Sequence, residues 1–162
     1  MDKATQEVMF SSATGNWATP QDFFDKLDWR FGPFDLDPCA SPYNTKCANF
    51  YTEAENGLSK DWTGHKVFVN PPYGRGIDEW IRKGYESALK DRNTKVVMLI
   101  PARTDTKYWH DYVMKSAAVY FVKGRLKFGD SKNSAPFPSA VVVFDEGAPR
   151  PFRRPTMGAM NR

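Results

Sequence analysis

The stretch from Lys66 to Ile100 limits the fold more than any other part of the sequence. Lys66 to Asn70 reads as an apolar strand ended by Pro71 and Pro72, since proline has no N–H to give a sheet ladder. After Gly76, the positions Ile77, Trp80, Ile81, Tyr85, Ala88 and Leu89 recur at the spacing of an amphipathic helix. Val96 to Ile100 is a continuous apolar run, as expected for a strand buried on both faces. Strand, helix and buried strand in this order form a parallel crossover unit. Phe34 to Asp37 reads as a short strand stopped by Pro38, and Ala118 to Val122 and Ala140 to Phe144 as two more. Thr19 reads as the N-cap of an early helix with Pro20 at its first position and Phe23, Phe24 and Leu27 facing inward. Thr104 or Asp105 can cap a further helix carrying Tyr108, Trp109, Tyr112 and Val113. The sum is an α/β chain with a mainly parallel central sheet, whose ligands belong at the carboxyl ends of the strands.

With 162 residues and 41% hydrophobic content, the chain suits one core and one domain. Residues 1–16 are expected to be a flexible arm, 17–146 the folded domain, and 147–162 a flexible basic tail. The tail carries Arg150, Arg153, Arg154 and Arg162 without an acid and so accounts for the formal charge of +4. A basic tail suits a polyanion partner, and equally a solvated end rich in Pro and Gly. No apolar run is long enough to span a membrane and no signal peptide opens the chain, so a soluble, intracellular protein is expected. Cys39 and Cys47, with His65 and His110, give no pattern for a disulfide framework or a metal site, and free thiols and no structural metal are expected.

The segment with the most chemical content is Asn70-Pro71-Pro72-Tyr73, at the end of the strand. An aromatic amine is a poor nucleophile because its lone pair is delocalised into the ring. Acceptors aimed at its two N–H bonds favour the pyramidal form that can attack a methyl group. Asn70 offers a side-chain carbonyl and Pro71 or Pro72 a rigidly held backbone carbonyl, while Tyr73 offers a flat face for a base. The bland alternative is a stiff loop with Tyr73 as packing.

Together with Thr19-Pro20, Asp35-Leu36-Asp37-Pro38-Cys39-Ala40, Gly57-Leu58-Ser59-Lys60-Asp61-Trp62 and Val67 to Gly74, this segment resembles the phage-type Dam-like DNA N6-adenine methyltransferases from about Trp17 to Phe144. The resemblance implies a class I, Rossmann-like methyltransferase fold, S-adenosylmethionine as cofactor, and DNA adenine as substrate, with phage origin and restriction-modification as the biological setting. In a phage setting the host cytoplasm is the expected location. It implies that Asp37, Pro38, Cys39 and Ala40 lie against the cofactor, that Thr19 and Pro20 help close the same pocket, and that Asn70 to Tyr73 hold the target amine. Asp37 at a strand end could meet the cofactor's cationic amino group or its ribose hydroxyls, or could merely cap a turn. Asp61 and Trp62 could serve the cofactor's adenine, or be a turn acid beside a core tryptophan. The sequence departs from the usual methyltransferase sheet by lacking two strand-helix units between the cofactor strand and the catalytic strand. A reduced sheet is therefore expected, with the loop from Ser41 to Gly64 in their place and Glu53 as a candidate ribose acid. No glycine-rich Gly-x-Gly turn follows the first strand, so the pocket is not built as a dinucleotide site.

Adenine's amine is buried inside a duplex, so the base must be extruded or already unpaired. Phe128 is the candidate stacking partner opposite Tyr73, or else a core residue. Lys123, Arg125 and Lys127 share one side of an extended segment and suit phosphate contact, as do Arg75 and Arg103 near the expected active face. Lysines on edge strands also serve simply to prevent aggregation. Two rival readings remain at this point: the same chemistry on cytosine N4, RNA adenine or a protein glutamine amide, and a nucleic-acid-binding module that has lost catalysis.

Overall fold

The computed structural model describes residues 18–148 and 155–162. The arm expected over residues 1–16 lies outside them. Five strands, β1 (Lys66–Val69), β2 (Lys95–Pro101), β3 (Ala118–Lys123), β4 (Ser139–Phe144) and β5 (Thr156–Asn161), form one sheet in the order β1-β2-β4-β3-β5. β1 is parallel to β2 and β3 to β5, whereas β4 runs antiparallel to both of its neighbours. All strands but β4 therefore point the same way, so the sheet is mostly but not entirely parallel.

Among the described residues three α-helices pack on the sheet: α1 (Gln21–Phe31), α2 (Ile77–Lys90) and the short α3 (Lys107–Asp111). α1 buries Phe23, Phe24 and Leu27, and Phe24 meets Phe68 of β1 edge-on at 5.0 Å between ring centroids. Residues alternate faces along a strand, so Val96 and Met98 of β2 point away from Phe68, and α2 packs there. A Cβ at Gly84 would lie 3.0 Å from Met98 Sδ and 3.3 Å from a ring carbon of Phe144, so glycine lets α2 approach closely. Ile77, Trp80, Ile81 and Ala88 of α2 are buried as their spacing predicts, but Leu89 is exposed. α1 begins one residue later than expected, with Pro20 in the capping position and its carbonyl accepting from Phe24 N. α3 is capped by Thr106, not by Thr104 or Asp105; its hydroxyl accepts from Trp109 N.

The short strand expected at Phe34 to Asp37 reduces to two parallel bridges, Leu36 with Val67 and Asp37 with Phe50. These bridges still place Asp37 beside the carboxyl end of β1. The loop from Ser41 to Gly64 contains that bridge and two single 3-10 turns, Glu53–Glu55 and Gly57–Ser59, in place of strand-helix units.

The expectation of a flexible tail over 147–162 is corrected for its last residues. Thr156–Asn161 pair along β3 as the edge strand, and Tyr120 of β3 lies over Gly158, where a Cβ would come within 2.9 Å of the ring. Arg30 of α1 stacks on Tyr120 at 4.4 Å, and Lys26 donates to the Arg162 carbonyl, so the chain end is held by α1 as well. No helix among the described residues is long and apolar enough to cross a membrane.

Candidate active site

Two chain segments end at the same edge of the sheet: the bridge at Leu36-Asp37 and strand β1, which gives way to Asn70. Pro38, Cys39 and Ala40 follow the first, and Asn70 to Tyr73 follow the second. A cleft of about 190 Å³ lies between these turns, with Pro38, Cys39 and Ala40 on one side, Pro72 and Trp80 on another, and Thr52, Glu53, Asn56 and Gly57 completing it. A narrower recess on the other side of Cys39 is lined by Thr19, Asp37, Asn44, Lys46 and Asn70. The residues carried by the resemblance therefore meet: Thr19, Asp37, Cys39 and Asn70 share the recess, and Pro38, Cys39, Ala40 and Pro72 share the cleft.

Asp37 is buried, and its carboxylate accepts from Lys46 N at 3.1 Å and from Cys39 N at 3.4 Å. Burial pushes its pKa up to about 6, against the lowering effect of those two amides and of the Lys46 ammonium. Desolvation likewise lowers the Lys46 ammonium, whose Nζ donates to Gln21 Oε1. The Cys39 thiol is raised by burial and by the carboxylates of Asp37 and Glu53, so it stays protonated and contributes as an uncharged wall.

Gly57 forms the opposite wall by direct backbone contact, since a Cβ there would sit 1.9 Å from the Pro38 carbonyl oxygen. Its own carbonyl accepts from the Trp62 indole N–H at 2.9 Å, and Trp62 stacks on Trp80 at 6.0 Å. Trp62 is fully buried and does not line the cleft; it braces the residues that do. Asp61 is exposed and lines neither cavity; its Oδ1 accepts from Thr63 N and Thr63 Oγ1, and those bonds hold it below its ordinary pKa. Pro20 stands in the capping position of α1 and lines neither cavity.

Tyr73 is almost fully buried, and its hydroxyl donates to the Leu99 carbonyl at 2.9 Å, which fixes the ring against β2. Burial raises the phenol well above its ordinary pKa, so Tyr73 stays protonated. Phe128 does meet Tyr73, but edge to face, at 6.1 Å and 89°, with Phe137 packed beside both. A base does not fit between two rings arranged in this way, so in this conformation Phe128 is a core residue. The loop from Gly124 to Pro138 that carries it is tied to Ala18 through Gly129 N and closed on itself by Ala135 N to Leu126 O.

Lys123, Arg125 and Lys127 are exposed, alternating with the buried Val122, Leu126 and Phe128, as is Arg75 beside the tetrapeptide. Arg125 also donates to the Ala135 carbonyl, and Arg162, just after β5, donates to the Arg125 carbonyl, which adds a cation to this stripe. Arg103 is half-buried after β2, its carbonyl accepting from Thr106 Oγ1. Sequence reasoning missed Asn44, Lys46, Asn56, Gly57 and Trp80 as site residues. Gly57 alone carried a signal, as the first residue of the Gly57 to Trp62 segment. Among the described residues no cluster of His, Cys, Asp or Glu could hold a metal ion.

The sequence matches the family model described as DNA N-6-adenine-methyltransferase (Dam) over residues 8–158. A protein of Haemophilus phage HP1 (strain HP1c1) named DNA N-6-adenine-methyltransferase is 36% identical over 141 residues, covering 82% of this chain and 80% of the relative. A protein of the same name from Escherichia phage T1 is 32% identical over 111 residues, 68% of this chain and 45% of the relative. The model's span over nearly the whole sequence, with a relative similar across most of both chains, shows that the chain belongs to the DNA N-6-adenine-methyltransferase (Dam) family.

Proposed function

We propose that this protein transfers a methyl group from S-adenosylmethionine to the exocyclic amine of adenine in DNA. The observation that carries this reading is that Pro72 of the Asn70 to Tyr73 segment and Pro38 to Ala40 line one cleft, so donor and amine meet at a shared wall. The fold is read here as a reduced Rossmann-like methyltransferase domain: parallel segments joined through α2, helices on both faces, and a site at the carboxyl edge. The cytoplasm, where donor and DNA are both present, is the expected location.

The donor set suits the cofactor. Asp37 is a buried carboxylate whose charge is costly until a cation arrives, and the cofactor's amino group is such a cation. Glu53 at the cleft mouth is positioned for ribose hydroxyls, and the uncharged walls of Cys39, Ala40 and Gly57 suit the remaining surface. Thr19 closes the recess around Asp37. The cofactor supplies an activated methyl sulfonium, so the protein's part is position and electrostatics, for which effective molarities are worth on the order of 7–11 kcal/mol. The Asn70 carbonyl and a carbonyl of Pro71 or Pro72 accept the two amine N–H bonds and favour the pyramidal nitrogen. Stacking the adenine on Tyr73 requires Phe128 to leave its edge contact, which the Gly124 to Pro138 loop can allow by releasing Ala18. Arg75, Arg103, Lys123, Arg125 and Lys127 hold the DNA phosphates, so affinity should fall with salt.

Incubation with methyl-labelled S-adenosylmethionine and unmethylated DNA, followed by nucleoside analysis, tests the whole reading. Label is expected in N6-methyladenine. Label confined to cytosine, or found only with RNA or protein substrates, would refute it.

Asp37 gives the cofactor site a pH dependence whose sign differs from that of stability. The ionised carboxylate binds the cofactor's amino group, so affinity should be complete above about pH 6 and fall roughly tenfold per pH unit below it. The unfolded chain titrates near 3.8, so the raised native pKa favours the folded state at low pH, and this contribution is lost as pH rises through about 6. Asp37→Asn should therefore flatten the affinity profile while raising the Tm at pH 8 relative to pH 4. The upper bound is on the order of 2–3 kcal/mol, reduced because the amide cannot accept from both Lys46 N and Cys39 N. Wild-type cofactor affinity that stays flat between pH 5 and 8 would remove Asp37 from this role.

A further inference from the structure

We propose that Tyr43 stacks on a base of the DNA substrate at the mouth of the active site, an inference that rests on the DNA reading above. Single apolar side chains on a surface are ordinary, so exposure alone would mean little. Tyr43, however, is 97% exposed at the tip of a turn that is locked on both sides. Asn44 Oδ1 accepts from Ser41 N at 2.7 Å, and the Ser41 carbonyl accepts from Asn44 N at 3.2 Å and Thr45 N at 3.1 Å. Pro42 fixes the backbone at the position before the tyrosine. The chain thus holds a large aromatic ring in water on a rigid support, at a hydration cost that nothing within the turn offsets.

The position of the turn supplies the second observation. Asn44, next to Tyr43, and Lys46, three residues on, both line the recess that contains Asn70 and Asp37. The turn that bears the exposed ring consequently borders the recess in which Asn70 lies. Extruding an adenine breaks its stacking with both neighbours, and an aromatic side chain that stacks on a base returns part of that loss. Every base has a π-face, so this contact would add affinity with little sequence preference. The other candidate stacking ring, Phe128, is buried against Tyr73 and Phe137 and cannot serve in this conformation.

The test uses the full-length protein with Tyr43→Ala and Tyr43→Trp, and duplex DNA carrying 5-iodouracil in place of thymine. Irradiation of the wild-type complex should crosslink DNA to the peptide containing Tyr43. Tyr43→Ala should raise the KM for DNA roughly tenfold with kcat and S-adenosylmethionine affinity unchanged, and Tyr43→Trp should restore the KM. The fully exposed ring makes misfolding of either variant avoidable, and matching thermal unfolding curves confirm it. Crosslinks only elsewhere, together with a wild-type KM in Tyr43→Ala, would overturn the proposal while leaving DNA methylation intact. Lost cofactor affinity in Tyr43→Ala would also overturn it, by moving the ring to the cofactor. A wild-type protein that methylates no DNA would bring down both this inference and the reading beneath it.

Discussion

Replacing Asn70 with alanine should lower methyl transfer by about 10²–10³ while leaving S-adenosylmethionine affinity nearly unchanged. Asn70 is buried where β1 ends, so its side chain has a fixed direction, and two prolines after it prevent the strand from continuing. An acceptor held in this way costs no reorganisation when the adenine nitrogen becomes pyramidal, which is why losing it should act on turnover. Its loss removes the acceptor and leaves Asp37 and the Pro38 to Ala40 wall in place for the cofactor. Asn70→Asp keeps an acceptor oxygen and should retain more transfer than Asn70→Ala, even though burying another carboxylate carries its own cost. Single-turnover methylation and cofactor titration on the same preparations separate the two effects. Cofactor binding lost in step with transfer in Asn70→Ala would show that Asn70 belongs to the cofactor site instead.

The unit from β1 through α2 to β2 was legible because each step has a strong local cause. Pro71 and Pro72 stop β1, the positions from Ile77 to Ala88 mark one helical face, and Val96 to Ile100 is apolar without interruption. β5 was not legible. Thr156 to Asn161 has two small residues, Gly158 and Ala159, and mostly exposed positions, so neither alternation nor β-branched content marks it. It becomes a strand because β3 offers an open edge and Tyr120 needs a residue without a side chain beneath it.

The site divides in the same manner. Asn70 stood out in the sequence by its chemistry at a strand end, whereas the choice of Asp37 and the Pro38 to Ala40 turn rested on the family resemblance, since an isolated Asp-Pro reads as well as a turn acid. Asp61 and Lys46 were not separable in sequence, since both are charged residues in a turn-rich stretch. Only the three-dimensional path shows that Lys46 N reaches Asp37 while Asp61 Oδ1 accepts from Thr63. Phe128 was a candidate to stack opposite Tyr73 or else a core residue; its edge-to-face packing on Tyr73, with Phe137 against both, is nothing that spacing reveals.

Gly57→Ala should be the most damaging single-carbon change available at the cofactor wall. The added methyl carbon would lie 1.9 Å from the Pro38 carbonyl oxygen and 2.9 Å from its carbon, so two backbones must separate. Neither can move freely. The Gly57 carbonyl accepts from both the Trp62 indole and Lys60 N, and Trp62 is buried against Trp80. On the other side, Pro38 follows Asp37, which is fixed by the bridge to Phe50 and by its bonds to Lys46 N and Cys39 N. Overpacking of this kind costs about 1–3 kcal/mol of stability, and here the displacement opens the wall that faces the cofactor. S-adenosylmethionine affinity should fall at least about tenfold, the equivalent of roughly 1.4 kcal/mol, with a lowered Tm and DNA affinity largely kept. DNA binding in the same variant shows that the fold survives, because the basic stripe from Lys123 to Lys127 lies on other elements. A folded Gly57→Ala protein with wild-type cofactor affinity would mean that the cofactor does not use the cleft between Pro38 and Gly57.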